Sequence, residues 1–185
     1  KPSKSLRKQA SRERWHGTLD QAFDDVIDAC SLPRSDGLND SLPEGEHTWI
    51  HDEMIEAYTE LHAQGFAHSI EVWNDTGQLI GGLYGLKIGN IYFGESMFHI
   101  ASNASKFAFW GLMRLCEQSH VALVDCQLPN EHLMSLGATT LPRADFLAQL
   151  DLLTANSTVK WQNNSHNPLP VSLLDTIEPW QLTLK

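Results

Sequence analysis

The apolar positions along the chain fall into two periods. Leu19, Ala22, Phe23, Val26, Ile27 and Cys30 recur at i, i+3, i+4, i+7, i+8 and i+11, which predicts an amphipathic helix with Thr18 placed to cap it. Residues 33–47, with Pro33, Gly37, Pro43 and Gly45, read as an exposed polar loop. A second helix is predicted over 51–64, where Ile50, Met54, Ala57, Tyr58 and Leu61 form one stripe and Gly65 ends it. The period then drops to two. Residues 69–73 alternate, Asn74-Asp75-Thr76-Gly77 turns into a strand over 78–86, and Gly89-Asn90 turns into a third strand over 91–95. A helix over 105–118, capped near Asn103, leads to the apolar run 121–126, whose unbroken hydrophobicity predicts a central strand covered on both faces. A short helix at 130–135 and a last one at 142–153 complete the order, and the residues after Thr154 read as irregular. The expected fold is α+β: a mixed sheet centred on 69–95 and 121–126, flanked by helices.

Composition narrows the class. The 185 residues are 42% hydrophobic and 19% charged, which suits one globular domain and excludes disordered, collagen-like and coiled-coil chains. The apolar runs 79–86 and 107–113 fall short of the roughly 18 residues that span a bilayer, so no membrane partner is expected. No apolar stretch follows the first basic residues, so no intact signal peptide is read, and a chain opening on Lys1 reads as a fragment or processed product. Cys30, Cys116 and Cys126 are odd in number and form no CxxC pair, which favours reduced thiols in a cytoplasmic protein over disulfides or structural zinc.

Charge is distributed unevenly. Residues 1–16 hold six basic side chains against Glu13, a net of +5, and the other 169 residues hold 7 basic and 22 acidic groups, a net of −15. A basic arm on an acidic body points to nucleic-acid contact, the plain alternative being a solvated tail. The acidic body itself suits a cationic partner.

Polar residues at the ends of core strands are the candidates for chemistry. Asp125 and Gln127 lie two apart on an extended chain and share a face, with Cys126 on the other. An ionised carboxylate there costs several kcal/mol unless it is paired or solvated; a neighbouring side-chain amide can pair it, and the plain alternative is a buried carboxylate that satisfies loop amides. Glu95 ends its strand beside Gly94, where the missing side chain lets a ligand approach; capping or pairing with a lysine is the alternative. Trp49 is either a core anchor or a stacking platform for a base. Asn130 reads first as an N-cap. The nine histidines show no HxH spacing, and the chain lacks a GxSxG elbow, a P-loop and a GxGxxG after a strand, so neither metal nor cofactor is expected.

Several ordered segments carry a resemblance. Thr48-Trp49-Ile50, Ala67-His68-Ser69-Ile70-Glu71-Val72-Trp73, Gly81-Gly82-Leu83-Tyr84-Gly85, Phe93-Gly94-Glu95-Ser96-Met97-Phe98, Asn103-Ala104-Ser105-Lys106, Asp125-Cys126-Gln127, His132 through Ala138 and Pro142-Arg143-Ala144-Asp145-Phe146 follow one another. Over about residues 1–153 this resembles the leucyl/phenylalanyl-tRNA–protein transferase family. The resemblance implies an acetyltransferase (GNAT)-like catalytic domain that moves leucine or phenylalanine from its tRNA to proteins beginning with Arg or Lys, marking them for degradation. It implies a basic arm or linker over 1–16 joined to an absent N-terminal domain, a catalytic domain over 17–153, and a tail over 154–185. Asp125, Gln127 and Glu95 would serve catalysis, with Asp125 orienting the Gln127 amide and Glu95 meeting the cationic acceptor. Leu83, Tyr92, Phe109, Leu112, Cys116 and Cys126 would line the aminoacyl pocket, plain core packing being the alternative for the helical stripe; Trp49 would stack on the adenosine, and Asn130 would bind substrate. Lys4, Arg7, Lys8, Arg12 and Arg14 would grip tRNA phosphates. The protein would act as a monomer. Where the family reads Ser-Arg after the residue matching Phe98, this chain has His99-Ile100. Two rivals remain: an acetyl-CoA N-acetyltransferase, against which stands the lack of glycine in 99–105, and a module that binds N-terminal Arg or Lys without modifying it.

Overall fold

The computed structural model describes residues 2–32, 49–155 and 161, and the backbone of 182–184. The loop predicted over 33–47 and most of the tail lie outside the described residues. The first element is α1 (Lys4–Arg12), which starts where the Ser3 hydroxyl accepts the Leu6 N–H at 3.1 Å. Leu6 and Ala10 are buried, while Lys4, Lys8 and Arg12 recur every four residues on the opposite face, with Arg7 beside them. The basic segment is therefore a helix docked on the core.

The next residues depart from the predicted helix. His16–Leu19 form strand β1, and the helix, α2 (Phe23–Ser31), begins only at Phe23. Thr18 caps nothing. Its hydroxyl donates instead to the fully buried Glu71 carboxylate on the neighbouring strand, and Asp20 turns the chain with φ at +56°. The helix α3 (Asp52–Ala63) and the meander β2 (Ala67–Trp73), β3 (Leu79–Ile88) and β4 (Ile91–His99) follow as expected, with antiparallel pairing throughout. After α4 (Ala104–Gln118), whose N-cap Asn103 sits at φ +70° and makes no side-chain cap, comes β5 (Leu123–Asp125), parallel to β4. Helices α5 (Glu131–Ser135) and α6 (Arg143–Ala155) match prediction within a few residues.

Two short strands have no counterpart in the sequence reading, β6 (Ala138–Thr140) and β7 (Leu182–Leu184). The second lies in the stretch expected to be irregular. It pairs in parallel with both β5 and β6, so the sheet runs β1-β2-β3-β4-β5-β7-β6. The fold is thus a seven-stranded mixed sheet flanked by helices.

Two apolar layers cover the sheet. On one side α1 and α4 supply Leu6, Phe107, Phe109, Leu112 and Met113, packed on Ile70, Val72, Leu83 and Tyr92. On the other, α2 and α3 supply Phe23, Val26, Ile27 and Tyr58, packed around Tyr84. Each such side chain contributes about 1.5–3 kcal/mol on burial. Trp161 closes the first layer at its edge. It stacks on Tyr92 with centroids 5.4 Å apart, and its indole N–H donates to the Ser119 hydroxyl at 2.7 Å. The sheet is drawn tight where β3 kinks between Tyr84 and Gly85: a Cβ at Gly85 would collide with the Phe93 carbonyl oxygen.

Candidate active site

The polar groups that the sequence singled out meet where β4 and β5 run parallel. Strand β4 delivers Glu95, and β5 ends at Asp125, which is fully buried. The chain then turns at Gln127, whose φ is +64°. This left-handed residue breaks the extended alternation. Cys126 and Gln127 therefore both border the same cavity, and the expected opposition of Cys126 to Gln127 does not hold.

The roles within the trio differ from expectation. Asp125 Oδ1 accepts the backbone N–H of Gln127 at 2.9 Å, so it fixes the turn and does not touch the carboxamide. The carboxamide is held by β4: its Nε2 donates to Glu95 Oε2 at 3.0 Å and to the Gly94 carbonyl at 3.2 Å. Both amide protons are engaged, which leaves Oε1 to accept. The Tyr58 phenol on α3 lies near Glu95; burial, and then the Glu95 charge, push the phenol well above its ordinary pKa. Tyr58 was legible only as one position of a helical stripe, and nothing local in the sequence marks it as a partner of residue 95.

The cavity beside this trio has a volume of about 1110 Å³. Of the residues expected around an aminoacyl pocket, Leu83, Phe109, Leu112 and Cys126 line this cavity, along with Val124 and Met97. Tyr92 and Cys116 do not. Tyr92 is fully buried behind the wall, with its hydroxyl donating to the His68 carbonyl at 3.3 Å, and Cys116 lies one helical turn too far along α4. Burial pushes the Cys126 thiol up to about 12, the neighbouring Asp125 charge adding to it, so this wall stays neutral. Asn130 borders the cavity and also caps α5, its Oδ1 accepting the Leu133 N–H at 2.8 Å. Trp49 is 51% exposed and lies outside the lining.

Electrostatically the cavity is one-sided. Among the described residues no Lys or Arg lines it; its ionisable members are Glu95, Glu131, His99 and His132, together with the Cys126 thiol and Tyr84 phenol. The basic residues Lys4, Arg7, Lys8, Arg12 and Arg14 stand apart on and just after α1, where Arg12 pairs with Glu13 at 2.7 Å. A neutral apolar slot, an amide oxygen and a carboxylate side by side can seat a greasy acyl group and a cationic amine together.

Comparison with known proteins agrees with the ordered motifs. Residues 1–151 match the family model described as leucyl/phenylalanyl-tRNA protein transferase. Proteins named leucyl/phenylalanyl-tRNA–protein transferase from Psychrobacter cryohalolentis and Psychrobacter arcticus are each 75% identical, over 99% and 98% of this chain and 68% and 66% of their own. The namesake from Pseudomonas fluorescens is 49% identical over 80% of this chain and 62% of its own. The chain thus spans about two thirds of the length of these relatives. Among solved structures, a GNAT-family acetyltransferase from Staphylococcus aureus superposes with a TM-score of 0.41 at 8% identity, over 58% of this chain and 70% of that one. On the family match and these identities, the chain belongs to the leucyl/phenylalanyl-tRNA–protein transferase family.

Proposed function

We propose that this chain carries the transfer centre of an enzyme that moves leucine or phenylalanine from aminoacyl-tRNA to the N-terminus of proteins beginning with Arg or Lys, so marking them for degradation. The observation that carries the proposal is the Gln127 carboxamide, locked by Glu95 and Gly94 with Oε1 free, beside the slot of Leu83, Phe109, Leu112 and Cys126.

The chemistry asks little of the protein beyond placement. The acceptor's α-amine has an ordinary pKa near 8, so a usable fraction is neutral at neutral pH. Gln127 Oε1 accepts one of its N–H groups and aims the nitrogen lone pair at the ester carbonyl. The C–N bond forms, the ester C–O bond to the tRNA ribose breaks, and the tRNA leaves with its hydroxyl restored. The amine's surplus proton goes to the leaving oxygen or to water. An amide is too weak a base to take it, so Gln127 positions the amine. Glu95 holds that amide in place, and its negative charge favours the cationic acceptor. The slot selects by shape: a missing methylene costs about 1–3 kcal/mol.

On this proposal the basic face of α1 meets the tRNA phosphates, Trp49 and Asn130 serve the adenosine, and the protein works as a monomer in the cytoplasm, where charged tRNA is found. The lack of cationic lining among the described residues disfavours the acetyl-CoA reading, because a pyrophosphate needs positive partners.

The test is incubation of the full-length parent with radiolabelled Leu-tRNA or Phe-tRNA and an Arg-starting protein. Label in the protein is expected. Acceptor binding without label would favour the non-modifying module, and a thermal shift with coenzyme A the acetyltransferase. In Gln127→Ala, kcat is expected to fall about 100-fold, with aminoacyl-adenosine binding unchanged. Loss of that binding would assign Gln127 to packing.

A further inference from the structure

Glu131 is the carboxylate of the cavity that the trio does not engage. It is the first residue of α5 and borders the same cavity as Glu95 and Gln127. The two acids differ in what occupies them. Glu95 is committed to the Gln127 amide. The Glu131 side chain is exposed and has no hydrogen bond or ion pair among the described residues. With no Lys or Arg in the described lining, no internal cation competes for it.

We propose that Glu131 determines acceptor specificity: its carboxylate takes the cationic side chain of the acceptor's first residue while Gln127 Oε1 takes the α-amine. The proposal rests on the transfer reading above and adds to it how Arg and Lys are told from neutral residues. Two anchors at opposite ends of one amino acid set both its identity and the direction of its amine. Glu95 cannot do both jobs, since turning toward a side chain would release the amide it holds. A guanidinium meets a carboxylate through two parallel N–H···O bonds and an ammonium through one, so Arg-starting acceptors gain more than Lys-starting ones. His99 and His132 also border the cavity, so acceptor kinetics are measured at one fixed pH for the parent and all variants.

The experiment uses the full-length parent and its Glu131→Gln, Glu131→Lys and Glu131→Asp variants. Transfer is measured from Phe-tRNA to peptides that start with Arg, Lys or Gln. In Glu131→Gln the KM for the Arg-starting peptide is expected to rise about fivefold, the upper range for an exposed ion pair, with kcat unchanged. The rise is smaller for the Lys-starting peptide and absent for the Gln-starting one. Glu131→Lys raises the KM further, and Glu131→Asp restores most of the parent value. Unchanged KM in Glu131→Gln, or an equal loss for all three peptides, would overturn the role of Glu131. A parent that labels no acceptor at all would instead overturn the transfer reading, and this inference with it.

Discussion

Replacing Gln127 by Glu keeps the outline of the side chain and turns a donor into a charge. In the parent, Nε2 donates to Glu95 Oε2 at 3.0 Å. In the variant an oxygen stands there, facing another carboxylate. Two such charges about 3 Å apart repel by roughly 1 kcal/mol at the dielectric of water and by about 6 kcal/mol at an effective dielectric of 20. The pair escapes by keeping one proton, so one carboxyl pKa rises in the folded state. In the unfolded chain both groups titrate near about 4.3. Between those two values the native state binds more protons than the unfolded one, so stability falls as pH rises through the interval. Urea unfolding of parent and variant, run side by side from about pH 4 to pH 8, reads this directly. Near the acid end the gap is only the cost of the lost hydrogen bonds, about 1 kcal/mol each. Toward neutrality it widens to a plateau. A gap of constant size over the whole range would refute the reasoning, because it would mean that the two side chains do not face each other.

Other consequences are equally open to measurement. Glu71 is buried, and burial raises its pKa despite the hydroxyls of Ser69 and Thr18 that donate to it, so it weakens the fold as pH rises above about 4.5. Glu71→Gln is therefore expected to flatten that decline; an unchanged pH–stability curve would exclude the assignment. Phe109→Ala removes a 2%-exposed ring that lines the slot and is expected to cost about 3–5 kcal/mol by denaturation, while weakening aminoacyl-adenosine binding. Gly85→Ala forces a Cβ against the Phe93 carbonyl and should abolish soluble expression, where Gly77→Ala at an open turn should not. Reversing the charge of Lys4 and Lys8 should lower the slope of log tRNA affinity against log salt by about 2; an unchanged slope would place the tRNA elsewhere.

Local patterning carried most of the architecture, and it failed where distant residues decide. The meander and the helices α3 to α6 follow from period and turn chemistry alone. The error at residues 16–19 arose because apolar spacing continued through Leu19 while Thr18 was spent on Glu71, 53 positions away. Strand β7 was invisible for a similar reason: three residues become a strand only when β5 and β6 wait on either side. In the site, the helical stripe 109, 112 and 116 revealed which face of α4 turns inward. It gave no depth, so Cys116 was assigned to the slot when it lies in the core. The trio Asp125, Gln127 and Glu95 was visible as polar residues at strand ends. Its wiring was not, because alternation assumes an extended chain and Gln127 leaves it.

That excursion sets stability against use. A residue with a side chain gives up about 1 kcal/mol or more to sit at positive φ, and glycine gives up nothing. Backbone comfort alone would favour a glycine in place of Gln127, tied by its N–H to Asp125 as firmly as the glutamine is. On the proposed role of Gln127, the glutamine found there marks a spot where selection for thermal robustness and selection for turnover pull apart. Screens that reward only heat resistance would therefore drift toward well-folded proteins emptied of their chemistry.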